Sequence, residues 1–305
     1  MTKHWNHNDI PDLQGKTIIV TGGNSGLGYE SVKAFAQSGA KVVLACRDII
    51  KGEKAKSEIM KAKPLGEIVV MKIDLMDLKS IRAFAQQFKS DFTQLDVLMN
   101  NAGIMATPNF KTNDGFEAQL GTNHLGHFAL TGLLIDLIKA TPNSRVVNVS
   151  SLAHKSGVID FDDLMFERGR KFKSMRAYGQ SKLANLLFTY ELQRFFESNQ
   201  FESIAVAAHP GGSNTRLASH LEENWFLRKL SPVLRGIMQS AAKGALPQLR
   251  ASVDAGAKGG EYYGPGGFGE VFGYPVLVKS TPASHHLGDA KKLWKVSEKL
   301  TGVSF

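Results

Sequence analysis

A glycine-rich turn near the start of the chain restricts the fold more than any other feature. It reads Thr21-Gly22-Gly23-Asn24-Ser25-Gly26-Leu27-Gly28, follows the β-branched run 17–20 and precedes a helical pattern. Glycine permits positive φ angles and a close approach of the backbone to a pyrophosphate. The helix that follows would point its unpaired N–H groups and the positive end of its dipole at that anion.

The spacing of this turn is TGxxxGxG instead of the more common GxGxxG, and a tight turn without a ligand is the alternative interpretation. Its position between the first strand and the first helix favours dinucleotide binding. The candidate phosphate-binding residues are Gly22, Asn24, Ser25, Gly26, Leu27 and Gly28.

Strand and helix patterns alternate after the turn. Strands are predicted at 41–45, 68–73, 95–99 and 145–149, and helices at about 52–62, 79–88 and 113–138. The alternation predicts an α/β fold whose parallel sheet is covered by helices on both faces, in the doubly wound, Rossmann-type arrangement. Since we find no repeat or linker, residues 1–305 are predicted to form a single domain with a C-terminal extension at about 259–305, whose glycine-rich stretch 259–273 is turn-like.

Composition narrows the class of protein. The one cysteine, Cys46, allows neither an intrachain disulfide nor a multi-cysteine metal site. The start is polar and no stretch reaches about 18 continuous apolar residues, so we expect no signal peptide, no integral membrane segment and a cytoplasmic location. The net charge of +9 is spread without a basic run, which favours anionic small ligands over nucleic acid.

The residues after the second strand bear on the choice of dinucleotide. NAD-type sites usually place a carboxylate there for the ribose 2′-hydroxyl. Here Cys46 stands where that acid is expected, and Arg47 follows, whose guanidinium suits a 2′-phosphate. Asp48 could still reach the ribose. We therefore predict NADP(H), with NAD(H) as the alternative, and interpret Cys46 as a small core residue.

Tyr178 and Lys182 have the i, i+4 spacing that places a phenol and an ammonium on one face of a helix. A cation near a phenol favours the phenolate and lowers the pKa of the phenol. Such a tyrosine can give a proton to a carbonyl oxygen or take one from an alcohol. Because the spacing alone is typical of a surface pair, the hypothesis depends on other residues.

Polar residues at two strand ends and in the long helix support it. Ser150 and Ser151 follow the fifth predicted strand, at the edge where open α/β sheets bind ligands, and a serine hydroxyl there can bond a substrate oxygen. Asn101-Ala102-Gly103 follows the fourth, where small residues would let a cofactor approach. Asn123 lies inside a predicted helix. Asparagine is a poor helix former, so its presence there indicates a role such as holding a water or bending the helix.

In order and spacing, these elements resemble the short-chain dehydrogenase/reductase family, over residues from about 15 to 217. The surrounding sequence is similar to the retinol-dehydrogenase-like branch, whose members include enzymes acting on retinoids and similar lipophilic carbonyls. The matching elements are the turn 21–28, Asp74, Asn100-Asn101-Ala102-Gly103, Asn123, Ser151, Tyr178, Lys182 and His209-Pro210-Gly211.

The resemblance implies catalytic roles. Tyr178 would be the acid/base, and Lys182 would lower its pKa and bind the nicotinamide ribose. Ser151 would orient and polarise the substrate oxygen, and Asn123 would hold a proton-relay water near Lys182. The protein groups position and polarise, while the cofactor supplies the hydride.

It also implies cofactor contacts. Asp74 and Leu75 would contact the adenine, and Pro210 and Gly211 would border the nicotinamide. Thr215 could bond the nicotinamide amide, with Ser213 or Asn214 as alternatives.

Two segments would shape the substrate site. An insertion at about 156–173 lengthens the sequence between Ser151 and Tyr178 relative to shorter family members, and similar insertions occur in the retinol-dehydrogenase-like branch. The apolar segment at about 212–240 would cover the substrate, with an ordinary amphipathic helix as the alternative. Family members commonly form dimers or tetramers, but an extended C-terminal tail can block one interface, so the sequence leaves open whether the protein forms a homodimer or homotetramer.

The sequence therefore predicts an NADP(H)-dependent oxidoreductase that interconverts a carbonyl and an alcohol on a lipophilic small molecule. The alternatives are an NAD-dependent alcohol dehydrogenase and a dinucleotide-binding regulator that does not catalyse. The regulator would be expected to lack Tyr178 or Lys182, and both are present. His124 and His127 are interpreted as structural, and no metal site is predicted.

Overall fold

The computed structural model describes residues 4–212 and 239–305. Its strands are β1 (Thr17–Thr21), β2 (Lys41–Cys46), β3 (Glu67–Lys72), β4 (Val97–Asn100), β5 (Arg145–Val149), β6 (Ile204–Ala208), β7 (Tyr262–Pro265) and β8 (Pro275–Leu277). They form one sheet in the order β3-β2-β1-β4-β5-β6-β7-β8. All neighbouring strands pair in parallel except β8, which is antiparallel to β7.

Helices cover both faces of this sheet, which confirms the predicted doubly wound α/β fold. They are α1 (Gly26–Gln37), α2 (Ile49–Met60), α3 (Leu78–Asp91), α4 (Ala118–Leu120), α5 (Gly126–Ala140), α6 (Ser174–Ser198), α7 (Ala241–Val253) and α8 (Leu287–Thr301).

Strand β1 shows why the sequence folds this way. All five of its residues are buried, as expected for a strand with a helix on each face. Ile18 and Val20 pack in one core with α1, α2 and α7, while Ile19 packs in the other with α3, α5 and α6. Burial of each of these side chains stabilises the fold by roughly 2 kcal/mol.

The long helix predicted at 113–138 begins later than expected. Residues 113–117 form a turn, because Gly115 has a φ of 85° and the N–H of Thr112 donates to the carbonyl oxygen of Phe116. Glu117 then caps α4, its carboxylate accepting from the N–H groups of Gln119 and Leu120. A π-helical turn, Gly121–Leu125, joins α4 to α5.

The C-terminal extension is more than the turn-like embellishment that the sequence suggests. Its glycine-rich part contains β7, which pairs in parallel with β6, and β8 follows as an antiparallel edge strand. Helix α8 packs on α6 through Leu293 and Ala290. The extension therefore completes the single domain.

Candidate active site

A cavity of about 510 Å³ opens at the carboxyl ends of β1, β2 and β4. The strand order reverses between β1 and β4, which is where open α/β sheets bind ligands. The predicted residues that line the cavity are Gly22, Asn24, Ser25, Gly26, Leu27, Gly28, Arg47, Asp74, Leu75, Asn101, Ala102 and Gly103. The predictions for the adenine and phosphate end thus converge on one cavity.

Gly22 and Gly28 leave the backbone of the phosphate turn without side chains at two crowded positions. Gly22 has a φ of 67°, and a Cβ at position 28 would lie 2.3 Å from the carbonyl oxygen of Gly22 and 2.7 Å from Nδ2 of Asn101. That Nδ2 donates to the carbonyl oxygen of Thr21 at 2.8 Å, which fixes the turn against β4. An open backbone cradle at the N-terminus of α1 fits the pyrophosphate of a dinucleotide.

Two cations line the cavity where β2 ends: the predicted Arg47 and also Lys51, which sequence reasoning missed. Asp48 caps α2, since its carboxylate accepts from the N–H of Lys51 at 3.1 Å, and this hydrogen bond holds the pKa of Asp48 below its usual value. The cap fixes the first turn of α2, which carries Lys51. The spacing of three residues between Asp48 and Lys51 is the sequence pattern that could have predicted this second cation.

Cys46 is a core residue, as predicted. It is buried, and burial raises the pKa of its thiol to about 11. The thiol is therefore protonated near neutral pH and a poor nucleophile.

Tyr178 and Lys182 lie on α6, so the predicted helical spacing is confirmed. Both side chains are buried, and the Nζ of Lys182 lies 5.6 Å from the centre of the Tyr178 ring. The same Nζ donates to the carbonyl oxygen of Val149, at the end of β5, at 3.0 Å. A Cβ at Gly103, which lines the cavity, would lie 3.5 Å from this Nζ, so Lys182 adjoins the cavity.

The predicted direction of the Tyr178 pKa is wrong for this structure. Burial raises the pKa of the phenol to about 12, and a hydrogen bond with Ser151 lowers it by less. Burial also lowers the pKa of Lys182 to about 8. Removal of both groups from water disfavours their charged forms, and this effect sets the direction of both pKa shifts.

Ser151 follows β5 and caps the 3₁₀ turn Leu152–Ser156, its hydroxyl accepting from the N–H of Ala153 at 3.2 Å. It lies within hydrogen-bonding contact of the Tyr178 phenol. Its neighbour Ser150 instead donates to the carbonyl oxygen of Lys182 at 2.9 Å. The structure thus distinguishes the two serines: Ser151 faces the phenol, and Ser150 braces α6.

Asn123 lies in the π-helical turn, where its side chain joins two other elements. Its Oδ1 accepts from the N–H of Ile104 at 2.8 Å, and its Nδ2 donates to the carbonyl oxygen of Ile104 and to Oγ of Ser181. The amide therefore fixes the loop after β4 to α6, one residue from Lys182. This is the reason for an asparagine in a helix.

His127 connects Asn123 to the phosphate turn, a link that sequence reasoning missed. Its Nδ1 must donate to the carbonyl oxygen of Asn123, which can only accept, at 3.0 Å. Its Nε2 then accepts from Oγ1 of Thr21 at 2.9 Å. That Oγ1 in turn accepts from the N–H groups of Asn101 and Ala102. The i, i+4 spacing of Asn123 and His127 was the available signal.

Pro210 and Gly211 follow β6, beside the β5 end that carries Ser151, and do not line the cavity described above. Gln239 donates to the carbonyl oxygen of Pro210 at 2.7 Å. The predicted Thr215, its alternatives Ser213 and Asn214, and all but the ends of the segment at 212–240 lie outside the described residues.

The insertion at 156–173 is an ordered wall against α6. The carboxylate of Asp163 accepts from three backbone N–H groups within 167–170. Arg170 lies 3.8 Å over the ring of Phe166 and donates to the side chain of Gln180 at 2.9 Å. The insertion is therefore fixed to α6 through Gln180, in the same helix as Tyr178.

Residues 4–212 and 239–305 contain no group of three histidine, cysteine or acidic side chains that could hold a metal ion. Over the same ranges, no helix is both long enough and apolar enough to cross a bilayer.

The chain is similar to proteins of known family. Residues 16–162 match the family model described as short chain dehydrogenase. Human retinol dehydrogenase 12 is 41% identical over 292 residues, which cover 95% of this chain and 88% of that protein. Human retinol dehydrogenase 11 is 40% identical over 292 residues, with 95% and 87% covered.

Solved structures agree with this. An uncharacterized protein from Mycobacterium paratuberculosis superposes with a TM-score of 0.83 at 40% identity, with 99% of each chain covered. The Pseudomonas aeruginosa RhlG/NADP active-site complex superposes with a TM-score of 0.65 at 21% identity, with 82% of this chain and 94% of that one covered. At 21% identity this second likeness shows the shared fold alone.

Proposed function

This chain belongs to the short-chain dehydrogenase/reductase family, in its retinol-dehydrogenase-like branch, and on that premise we propose that it is an NADP(H)-dependent oxidoreductase that interconverts lipophilic aldehydes or ketones and their alcohols. Membership makes it an oxidoreductase that uses a nicotinamide dinucleotide to interconvert alcohols and carbonyls. The observation that carries the finer proposal is the buried contact of Tyr178 with Ser151 beside Lys182.

NADP(H) is proposed because Arg47 and Lys51 both border the cavity at the end of β2. Asp48, the carboxylate that could have bound a ribose 2′-hydroxyl, is engaged in capping α2 and in a 3.0 Å contact with Lys51. Two cations at this end favour a 2′-phosphate, to which a guanidinium makes charge-assisted bonds. Asp74 and Leu75 would contact the adenine.

When bound, the dinucleotide supplies the hydride to the carbonyl carbon. The hydroxyls of Ser151 and Tyr178 would hold the carbonyl oxygen between them. With a pKa near 12, the Tyr178 phenol is protonated at neutral pH, which is the form that donates a proton to that oxygen. Donation from a fixed phenol removes the need for a water molecule at the reacting oxygen.

Lys182 would bind the nicotinamide ribose, which Gly103 lets approach. Asn123 would anchor a proton-relay water near Lys182. Pro210, Gly211 and Thr215 would border the nicotinamide.

Substrates are proposed to be lipophilic by analogy with the relatives named retinol dehydrogenases. The insertion at 156–173 would form one wall of the substrate site, while all but the ends of the predicted covering segment at about 212–240 lie outside the described residues. A cytoplasmic location stays a prediction from the sequence.

The test is NADPH consumption with a panel of aldehydes and ketones that includes retinal. Wild type should oxidise NADPH with at least one of them, and Tyr178→Phe should lose about a hundredfold in kcat or more. Tyr190→Phe is the matched control, because Tyr190 lies on the same helix and its hydroxyl contacts Ser280 at 2.7 Å. No turnover with any compound, or full activity in Tyr178→Phe, would contradict the proposal.

Two alternatives are separated by the same assay. An NAD-dependent alcohol dehydrogenase would turn over faster with NADH than with NADPH. A regulator that does not catalyse would bind NADPH without turnover, and Tyr178→Phe would then bind NADPH as wild type does.

A further inference from the structure

The carboxylate of Glu270 lies between two loops that follow neighbouring strand ends. Its Oε2 is 3.1 Å from Nε2 of His209, which directly follows β6. Its Oε1 accepts from Nζ of Lys155 at 3.3 Å, in the 3₁₀ turn that Ser151 caps. One carboxylate thus joins the loop that carries Ser151 to the loop that carries Gly211.

The hydrogen bonds of His209 fix where its proton lies. Its Nδ1 accepts from the backbone N–H of Gly211 at 3.2 Å, so a neutral ring must carry its proton on Nε2. Burial lowers the pKa of His209 to about 3, with smaller contributions from His154 and Lys155, and the ring is neutral near pH 7. The Nε2 that carries the proton lies 3.1 Å from Oε2 of Glu270, and within the described part of the chain neither of these two buried atoms makes a hydrogen bond.

The absence of a side chain at Gly264 makes room in the sheet for the His209 ring beside Glu270. The His209 side chain is fully buried, and a Cβ at Gly264 on β7 would lie 2.1 Å from its Nε2. The turn that carries Glu270 also packs directly on the Gly211 loop, because a Cβ at Gly211 would lie 2.4 Å from the carbonyl oxygen of Val271. That oxygen accepts from the N–H of Gly212 at 2.8 Å.

The backbone of Glu270 is strained. Its φ is 59°, in the left-handed region that glycine or asparagine occupies more easily. Such strain persists where the surrounding structure requires it and clusters at functional sites. Glycine would relieve the strain, so a glutamate here indicates that the carboxylate itself is needed.

We propose that Glu270 is a positioning residue, which holds Gly211 through His209 and so sets the nicotinamide border relative to Ser151. The proposal rests on the proposed function for its effect on catalysis, although the contact itself does not. A loop held in this way presents the cofactor and the substrate oxygen at a fixed separation, and small errors in such a separation are costly to the reaction rate.

The test compares Glu270→Gly and Glu270→Gln with wild type. Glu270→Gly removes strain and carboxylate together, so its Tm should equal or exceed that of wild type while kcat for the best panel aldehyde falls about tenfold or more. The Kd for NADPH should change less than kcat. Glu270→Gln should lower kcat without the gain in Tm. Gln200→Gly is the matched control, because Gln200 has a φ of 57° at the end of α6, far along the chain from these loops, and should leave kcat unchanged.

A spectroscopic readout does not depend on activity. In the ¹⁵N NMR spectrum of labelled histidine, His209 should show the Nε2–H tautomer in wild type and shifted ring resonances in both Glu270 variants. An Nδ1–H tautomer in wild type, or unchanged His209 resonances together with wild-type kcat in Glu270→Gly, would overturn the proposal. If wild type turns over no carbonyl compound, the proposed function fails, while the NMR comparison still decides whether Glu270 holds His209.

Discussion

The Nδ1 of His127 lies 3.0 Å from the backbone carbonyl oxygen of Asn123, and the opposite ring nitrogen lies 2.9 Å from Oγ1 of Thr21. One buried imidazole therefore ties the proposed proton-relay residue to the start of the phosphate turn. The ring is neutral, because burial lowers the pKa of His127 to about 4. Its two nitrogens can then serve one donor and one acceptor, as this geometry requires.

Replacement of His127 by phenylalanine should damage catalysis and stability together. The change removes the His127 contacts of the Thr21 hydroxyl and the Asn123 carbonyl oxygen, at a total cost of about 1–3 kcal/mol, since the hydroxyl can still donate to the carbonyl oxygen of Met99. We expect a lower Tm, weaker NADPH binding and a fall in kcat, measured by thermal unfolding, fluorescence titration and steady-state kinetics.

The control is His124→Phe. His124 is equally buried but contacts Ser297 of α8 at 2.9 Å instead of Thr21. That variant should lose stability without the same loss of NADPH affinity. Equal losses of affinity in the two variants would show that His127 acts through stability alone.

Replacement of Arg47 by alanine should reduce the preference for NADP over NAD. A charge-assisted hydrogen bond contributes about 1.5–3 kcal/mol, so the ratio of kcat/KM for NADPH to that for NADH should fall about tenfold to a hundredfold. Lys51→Ala should give a smaller fall in the same direction, since part of its charge is balanced by Asp48. A ratio that is unchanged in the double variant would mean that neither cation binds a 2′-phosphate.

Replacement of Gly28 by alanine should abolish dinucleotide binding. The added Cβ would meet the Gly22 carbonyl oxygen at 2.3 Å, and such overpacking costs about 1–3 kcal/mol and displaces the turn. Gly256→Ala is the control, because its Cβ would meet nothing nearer than the Asp254 carboxylate at 3.5 Å. Isothermal titration with NADPH should detect binding to the control and no binding to Gly28→Ala. Normal binding by Gly28→Ala would show that the backbone turn does not bind the pyrophosphate.

Stability should fall as the pH is lowered from about 6.5 to 4. Burial depresses the pKa of His127 to about 4 and that of His124 to about 3, so the unfolded chain binds protons in this window that the folded chain does not. Their contribution is fully present above pH 6.5 and is lost as the pH falls through these values. Urea unfolding should show this slope in wild type and a shallower one in His127→Gln. Identical slopes would mean that His127 is not held neutral.

The fold was largely predictable because it depends on local patterns. The continuous apolar run of β1 predicts a buried strand, and the glycines at 21–28 predict a tight turn, without reference to distant residues. The start of α4 was misplaced because a single left-handed residue, Gly115, ends the helical pattern, and periodicity is insensitive to one such residue. Strands β7 and β8 were not predicted because each has only three or four residues and becomes ordered only by pairing, β7 with β6 and β8 with β7.

By itself the sequence determined the class of sheet, the phosphate turn and the spacing of Tyr178 and Lys182, since each depends on residues near one another in the chain. Only the tertiary structure decided that Lys51 joins Arg47 at the cavity and that His127 joins Asn123 to Thr21. It also decided the protonation of Tyr178, because a pKa depends on burial from water as well as on the nearest charge, and burial is a property of the packed molecule.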